Sequence, residues 1–403
     1  MTMLEITCKT LTPLWTGGVD QTSDRLHETG LIGSLRWWYE ALVRGLGGYA
    51  CDPTEHECQF DEDEYRKSKA NDERQRLREA GLCDVCQVFG ATGWGRKFRL
   101  IATDTERLFA GQNILIPSGR VHRTKKGDVR AGGWFLFSDS RLGEILLKIQ
   151  PIREITQEEL NRLKVTLALI AHWGTFGAKG ASGYGVIDGA IDFSLDTLSH
   201  FLQNLPPRNS ELPDLRDFFF TKFEFTPPAG NQNWWQSIQG IQEAFSGKLR
   251  NGTAPQPLRR ANKELTQVVD GGILPIAPAI RNWLRYTWLP TKSQYKNAEA
   301  YIFGTAGENS IGSKIQVSYA YRRQDGKWEF HIWGWLPCQG KLQARDKFLD
   351  DLKNALNGSA IWWAVFGASG ITPKKLAWYS LPCNAKDLLP FLTELLKEPG
   401  GAQ

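Results

Sequence analysis

The sequence predicts an α+β chain of two tandem ferredoxin-like units, each in the order βαββαβ. Three observations carry this: periodicity gives the same order of elements twice, three short motifs recur in the same order, and a proline-rich passage at Pro206, Pro207 and Pro213 separates the halves.

In the first half, residues 4–11 alternate apolar and polar side chains as a strand does, and residues 34–43 have helical spacing with Ser34 as the predicted N-cap. Strands are expected at 97–103 and 133–138, a strongly patterned helix at 157–172 and a last strand at 185–193. In the second half, strands are expected at 217–225, 314–321, 327–336 and 374–381, with helices at 279–286, 344–356 and 388–397. Leu35-Arg36-Trp37-Trp38 aligns with Ile280-Arg281-Asn282-Trp283, Val88-Phe89-Gly90-Ala91 with Ile302-Phe303-Gly304-Thr305, and Thr175-Phe176-Gly177-Ala178 with Val365-Phe366-Gly367-Ala368. The units are therefore expected at 1–205 and 214–403. Arg36 lies 53 positions before Phe89, whereas Arg281 lies 22 before Phe303. That surplus of 31 residues coincides with a cysteine-rich insert at about 47–87.

With 403 residues, 41% hydrophobic and 23% charged, the chain has the composition of a globular protein, and its net charge of +5 permits an anionic partner without requiring one. The N-terminus alternates rather than forming a signal peptide, and no run is long enough to span a membrane. A cytoplasmic protein without a membrane partner is the expectation. Most of the sixteen tryptophans are expected in the core, with a minority free to stack on bases.

Of seven cysteines, Cys51, Cys58, Cys83 and Cys86 are clustered, while Cys8, Cys338 and Cys383 are scattered. Cys83-x2-Cys86 holds two thiolates at a spacing suited to one tetrahedral zinc, and Cys51 and Cys58 complete four ligands, with His56 competing for one place. The charged residues 61–78 could build no core alone, so a structural zinc is expected rather than a catalytic one.

Residues 117–133 place Arg120, His122, Arg123, Lys125, Lys126 and Arg130 against the single acid Asp128, in a hairpin or loop between strands. Such a concentration of cations suits a phosphate backbone. Arg96, Lys97 and Arg99 surround a second glycine-rich turn at 90–100. Arg36 is expected two residues into its helix, facing either an anion or an ion pair with Glu28 or Glu40. The stretch HWGTFGAKGASGYG at 172–185 follows a helix and precedes a strand, and Lys179 is followed by glycine. A phosphate-binding loop needs the opposite order, so no nucleotide is expected. Its glycines suit close approach of another chain's backbone, with Lys179 beside a phosphate.

TPLWTGG near the N-terminus, ETGLIGSLRWWYEAL, CQVFGATG and GAKGASGYG together resemble the RAMP superfamily of CRISPR proteins, and most of all the first RAMP subunit of the type III-B (Cmr) effector complex. The resemblance is dense over residues 4–188 and thin in the second half. It implies two ferredoxin-like RAMP domains and a non-catalytic subunit that binds guide (CRISPR) RNA and target RNA at the guide 3′ side. It also implies that the partners are other RAMP subunits. The family motif does not require the cysteine insert. An alternative within the superfamily is a metal-independent guide-processing endoribonuclease, for which His27, His122 and Lys179 are the candidate residues, His172 being expected to pack. A protein-only adaptor built around the zinc module is a third expectation.

Overall fold

A computed structural model of the chain describes residues 3–20, 22–55, 57–123, 127, 129–199, 201, 211–249, 258–305, 310–342 and 344–397. The first half contains β1 (Leu4–Thr10), α1 (Glu28–Gly45), β2 (Phe98–Ala102), β3 (Ile114–Arg123), β4 (Val129–Leu136), β5 (Glu144–Pro151), α2 (Gln157–Trp173) and β6 (Ile187–Asp188). Its four-stranded sheet has the order β2-β5-β1-β6, every pair antiparallel, with Ile6 opposite Leu147. Ile6, Cys8 and Thr10 alternate inward on β1, as Ile145, Leu147 and Ile149 do on β5. They meet the apolar faces of α1 and α2, where Leu35, Trp38, Leu42, Leu163, Leu167 and Ile170 are buried.

Several expectations are corrected. The strand that pairs with β1 and β2 is β5, which the sequence reading missed; residues 133–138 belong instead to a separate hairpin of β3 and β4. Helix α1 begins at Glu28 with His27 as N-cap, so Ser34 is interior. The strand expected at 185–193 is reduced to β6.

The second half contains β7 (Phe218–Phe225), α3 (Ala277–Trp283), β8 (Ile315–Val317), β9 (Ala320–Arg322), β10 (Trp328–Trp335), α4 (Arg345–Asn357), α5 (Ser359–Phe366), β11 (Lys374–Ser380) and α6 (Leu389–Leu396). Helix α3 continues as a wider π turn over Leu284–Trp288. The sheet runs β9-β10-β7-β11, with β8 also on β10 and Ile273–Leu274 on the outer edge of β9. The strand expected at 314–321 is thus broken in two, and α5 was not foreseen. Cys338 and Cys383, far apart in sequence, form a disulfide that ties the chain after β10 to the chain after β11. Pro206 and Pro207 lie outside the described residues. Within those residues, no helix is long and apolar enough to cross a membrane.

Both faces of the second sheet are covered. Phe219, Phe223, Phe225, Phe330 and Ile332 pack with its own helices α3 and α5. Phe218, Phe220 and Trp333 instead join the core of the first half, where Trp38 stands 4.8 Å from Trp333 between ring centroids. The exchange is mutual, because Ile114, Ile116 and Leu136 of the hairpin are buried in the core of the second half. That reciprocity fixes the hairpin against α3.

Candidate nucleic-acid interface and cysteine cluster

The hairpin forms because β3 and β4 both alternate, with a register break between Pro117 and Arg120 that bends β3. Beyond the bend lies a cleft of about 260 Å³ between the hairpin and α3, lined by Ser118, Arg120, Trp134, Arg281, Arg285 and Tyr286 together with Gly132, Gly133 and Asn282. Asn282 fixes the two walls by donating its Nδ2 to the Ser118 carbonyl at 2.6 Å. Arg120 is exposed and stands over the Tyr286 ring at 3.7 Å. Arg285 pairs with Glu299 at 2.8 Å.

Arg281 is the unusual member. It is 4% exposed, yet its guanidinium meets only neutral acceptors: the Ser313 hydroxyl at 2.8 Å, the Ile315 carbonyl and the Phe303 carbonyl at 3.0 Å. Its Nε has no hydrogen-bond partner among the described residues. Burial, and then repulsion from Arg285, pushes its pKa down to about 9, so it remains cationic near neutral pH. A buried cation without a carboxylate carries a desolvation cost that an incoming anion would offset.

The glycine loop meets the end of β4, where the Tyr184 hydroxyl accepts from Phe137 N at 2.8 Å and donates to the Phe135 carbonyl at 3.1 Å. Phe137, just past the strand, and Trp15 cradle Lys179, whose Nζ is 4.2 and 4.0 Å from the two rings. Lys179 is half-buried in the left-handed region at φ 64, and burial lowers its pKa. The glycines serve contacts within this chain: a Cβ on Gly183, at φ +101, would lie 2.3 Å from the Tyr319 ring, and Gly183 accepts the Tyr319 N–H at 2.9 Å. Close approach is thus the right cause, but here the partner is the second half.

Other predicted residues disperse. Lys97 is buried and donates to both Glu159 oxygens at 2.8 and 2.9 Å, while Glu159 also closes the capping box of α2 with Thr156. It offers RNA no free cation, which corrects its assignment. Arg36 is likewise corrected: α1 starts earlier than expected, so Arg36 is mid-helix, paired with Glu40 at 2.9 Å and donating to Cys86 Sγ at 3.3 Å. Arg96 donates to the Phe98 carbonyl at 2.7 Å. Arg99 is exposed on β2, on the solvent face of the first sheet, and Arg130 is exposed on β4 opposite His122. Lys125, Lys126 and His56 lie outside the described residues, as do the side chains of His122 and Arg123. His27 is held by Asp24 at 2.7 Å.

The four cysteines do converge. Cys51, Cys58, Cys83 and Cys86 are all buried, with their sulfurs within 4.8 Å of one another and Cys51 to Cys86 at 3.7 Å. Four thiolates around one zinc at about 2.3 Å stand roughly 3.8 Å apart, so the set fits with little contraction. The sulfurs also accept hydrogen bonds from Cys83 N, Cys86 N and Arg36, which suits negative charge on them. Within residues 61–78 only Leu77 is buried, so this segment has almost no core of its own. Asp84 accepts from Arg74 and Arg78 at 2.7 Å each and from Tyr49 N, which fixes the turn carrying Cys83 and Cys86.

The sequence reading passed over Arg281, Arg285, Tyr286 and Trp134. The signal was present, because the internal alignment sets Arg281 on Arg36 and the run Trp283-Leu284-Arg285-Tyr286 mixes cation and aromatic rings.

No curated protein matches the chain. Among solved structures it is similar to apo Cmr1 from Pyrococcus furiosus, at 13% identity and TM-score 0.39, over 93% of this chain and 98% of that one. It is also similar to a chain of a type IV-B CRISPR complex, at 14% identity and TM-score 0.30, over 52% of this chain and 96% of that one. The sequence model of the RAMP superfamily matches residues 7–188, the stretch that holds TPLWTGG, α1, the cysteine cluster, the hairpin and the glycine loop. The match to the RAMP superfamily is thus carried by residues 7–188, a little under half of the chain.

Proposed function

We propose that this protein is a non-catalytic, RNA-binding RAMP subunit of a CRISPR ribonucleoprotein of the type III-B kind, built on two tandem ferredoxin-like units. Its partners are guide and target RNA and neighbouring RAMP subunits. The observation that carries the reading is the cleft where the two halves meet, which gathers Arg120, Arg281 and Arg285 with two aromatic rings and one acid, Glu299. Phosphate contacts of this kind position a strand without reading its sequence. The cysteine cluster holds a structural zinc in this reading, since all four thiols are engaged and no position is left open for a substrate. The endoribonuclease alternative would draw on His27, paired with Asp24, and Lys179, packed on Trp15 and Phe137, and neither lines the cleft.

The test is purification of the native assembly with sequencing of its RNA. Guide sequences, and affinity for single-stranded RNA that falls steeply with salt, are the expected results. Specific cleavage of repeat RNA by the purified chain in chelator, or an assembly free of RNA, would refute the proposal.

A further inference from the structure

The hairpin cleft has a shape and a charge pattern that narrow what enters it. Its opening is flanked by two rings, Tyr286 and Trp134, and each already carries a guanidinium: Arg120 at 3.7 Å and Arg281 at 4.9 Å. At about 260 Å³ it accommodates one planar ring with an adjoining anion rather than a stretch of helix. Of the three cations, only Arg285 is matched by an acid among the described residues. Arg281 lines the cleft as well, and its buried Nε has no hydrogen-bond partner among the described residues.

We infer that this cleft captures one unpaired nucleotide of a single RNA strand, its phosphate held by Arg281 and Arg285 and its base stacked on the Arg120–Tyr286 pair. The inference rests on the RNA-binding reading above and adds that the strand must be single and locally unstacked. A base inside a duplex has neighbours on both faces, whereas stacking on a side chain needs a free face. Guanidinium planes and aromatic rings together favour a base over an acidic peptide, which would supply the anion but no ring to stack. Rigid walls support the capture: Asn282 ties α3 to Ser118, and Gly133 brings the two strands of the hairpin together, since a Cβ there would lie 2.4 Å from the Ile116 carbonyl oxygen.

The experiment uses the full chain and single-stranded RNA carrying 4-thiouridine, alone and annealed to its complement, with affinity read by fluorescence anisotropy. Arg281→Gln removes the buried cation. Because Arg281 also supports the core, the double variant Arg285→Gln, Tyr286→Leu on the half-exposed rim is the primary test. That variant is expected to bind the single strand about tenfold more weakly, to lose about one phosphate contact in the salt dependence, and to keep its melting temperature. Cross-links are expected on Trp134 or Tyr286 with the single strand and not with the duplex. RNA bound at wild-type strength by the double variant, or duplex bound equally well, overturns the capture site and leaves the RNA-binding reading standing. Absence of RNA binding at any salt concentration overturns both. Displacement by polyglutamate but not by RNA would assign the cleft to an acidic protein partner.

Discussion

The sheets of the two halves share one strand order, yet their helix-free faces meet opposite fates. In the first half this face is open to solvent and carries Glu5, Thr7, Arg99, Lys148 and Gln150, with Glu5 and Lys148 paired across strands at 2.9 Å. In the second half the same face is covered by α1 and α2, and Trp38 and Trp173 fill it against Phe218, Phe220 and Trp333. Polar residues remain trapped there: Lys222, Glu329, His331 and Tyr321 form one buried network. The helix that follows the first strand shows a matching asymmetry. Arg36 is neutralised by Glu40, while Arg281 at the aligned position meets only carbonyls and a hydroxyl. The first of these two arginines thus has a carboxylate partner, whereas the second, though buried, has none among the described residues.

The largest expected effect concerns what only the first half carries. The purified chain is predicted to contain one zinc by elemental analysis, and Cys83→Ser to contain none. Losing the ion should cost roughly several kcal/mol, because the cysteine segment has little apolar burial to replace it. Limited proteolysis should then cut within residues 61–78, while the second half, which has no such cluster among its described residues, stays intact. A metal-free wild-type chain with an uncut segment would break this side of the comparison.

Next in size is the buried network of the second sheet. His331 is fully enclosed; burial, then the charge of Lys222, lowers its pKa to about 4, with Glu329 and Tyr321 against its Nε2 and Arg323 on Glu329. Below pH 6.5 the unfolded chain takes up a proton that the folded chain refuses until about pH 4, so stability falls as the pH drops through that window. The loss is predicted at about 3 kcal/mol. Urea unfolding of His331→Gln should show a flatter profile between pH 6.5 and 4.5, and an unchanged slope would place the proton elsewhere. Glu329, held below the usual carboxylate range partly by His331 and Lys222, adds a loss of the same sign only under more acidic conditions.

How much of this was legible in the sequence follows from the length scale of each signal. Alternation marked β1 and helical spacing marked α2, because each buries one face, while their runs of aromatic residues marked β7 and β10, which are buried on both faces. The cysteine set was legible because zinc ligation restricts spacing. Local pattern could not choose between β4 and β5 as the third strand: both alternate, and only the second half's need for Ile114, Ile116 and Leu136 draws the hairpin away from the sheet. Lys97 looked like a free cation because its partner, Glu159, is 62 residues distant, whereas the ion pair of Arg36 with Glu40 was one of the two alternatives that helical spacing left open. Arg281 was hidden by its apolar neighbours, although what distinguishes it is the absence of an acid in three dimensions.

The smallest expected effect isolates that absence. With its pKa lowered to about 9, Arg281 contributes a destabilisation that is fully present below that pH and relieved only as pH rises toward the unfolded value of 12.5. An anion in the cleft should offset part of it at neutral pH. Inorganic phosphate, compared with chloride at matched ionic strength, is therefore predicted to raise wild-type stability by about 1 kcal/mol. Arg36→Gln should keep this increment, since Arg36 already faces Glu40 and a sulfur, while Arg281→Gln should lose it. Calorimetric scans of the three proteins check the pattern. Equal increments in all three would mean that phosphate acts on surface charge in general, and the distinction between the two aligned arginines would then have no consequence for binding.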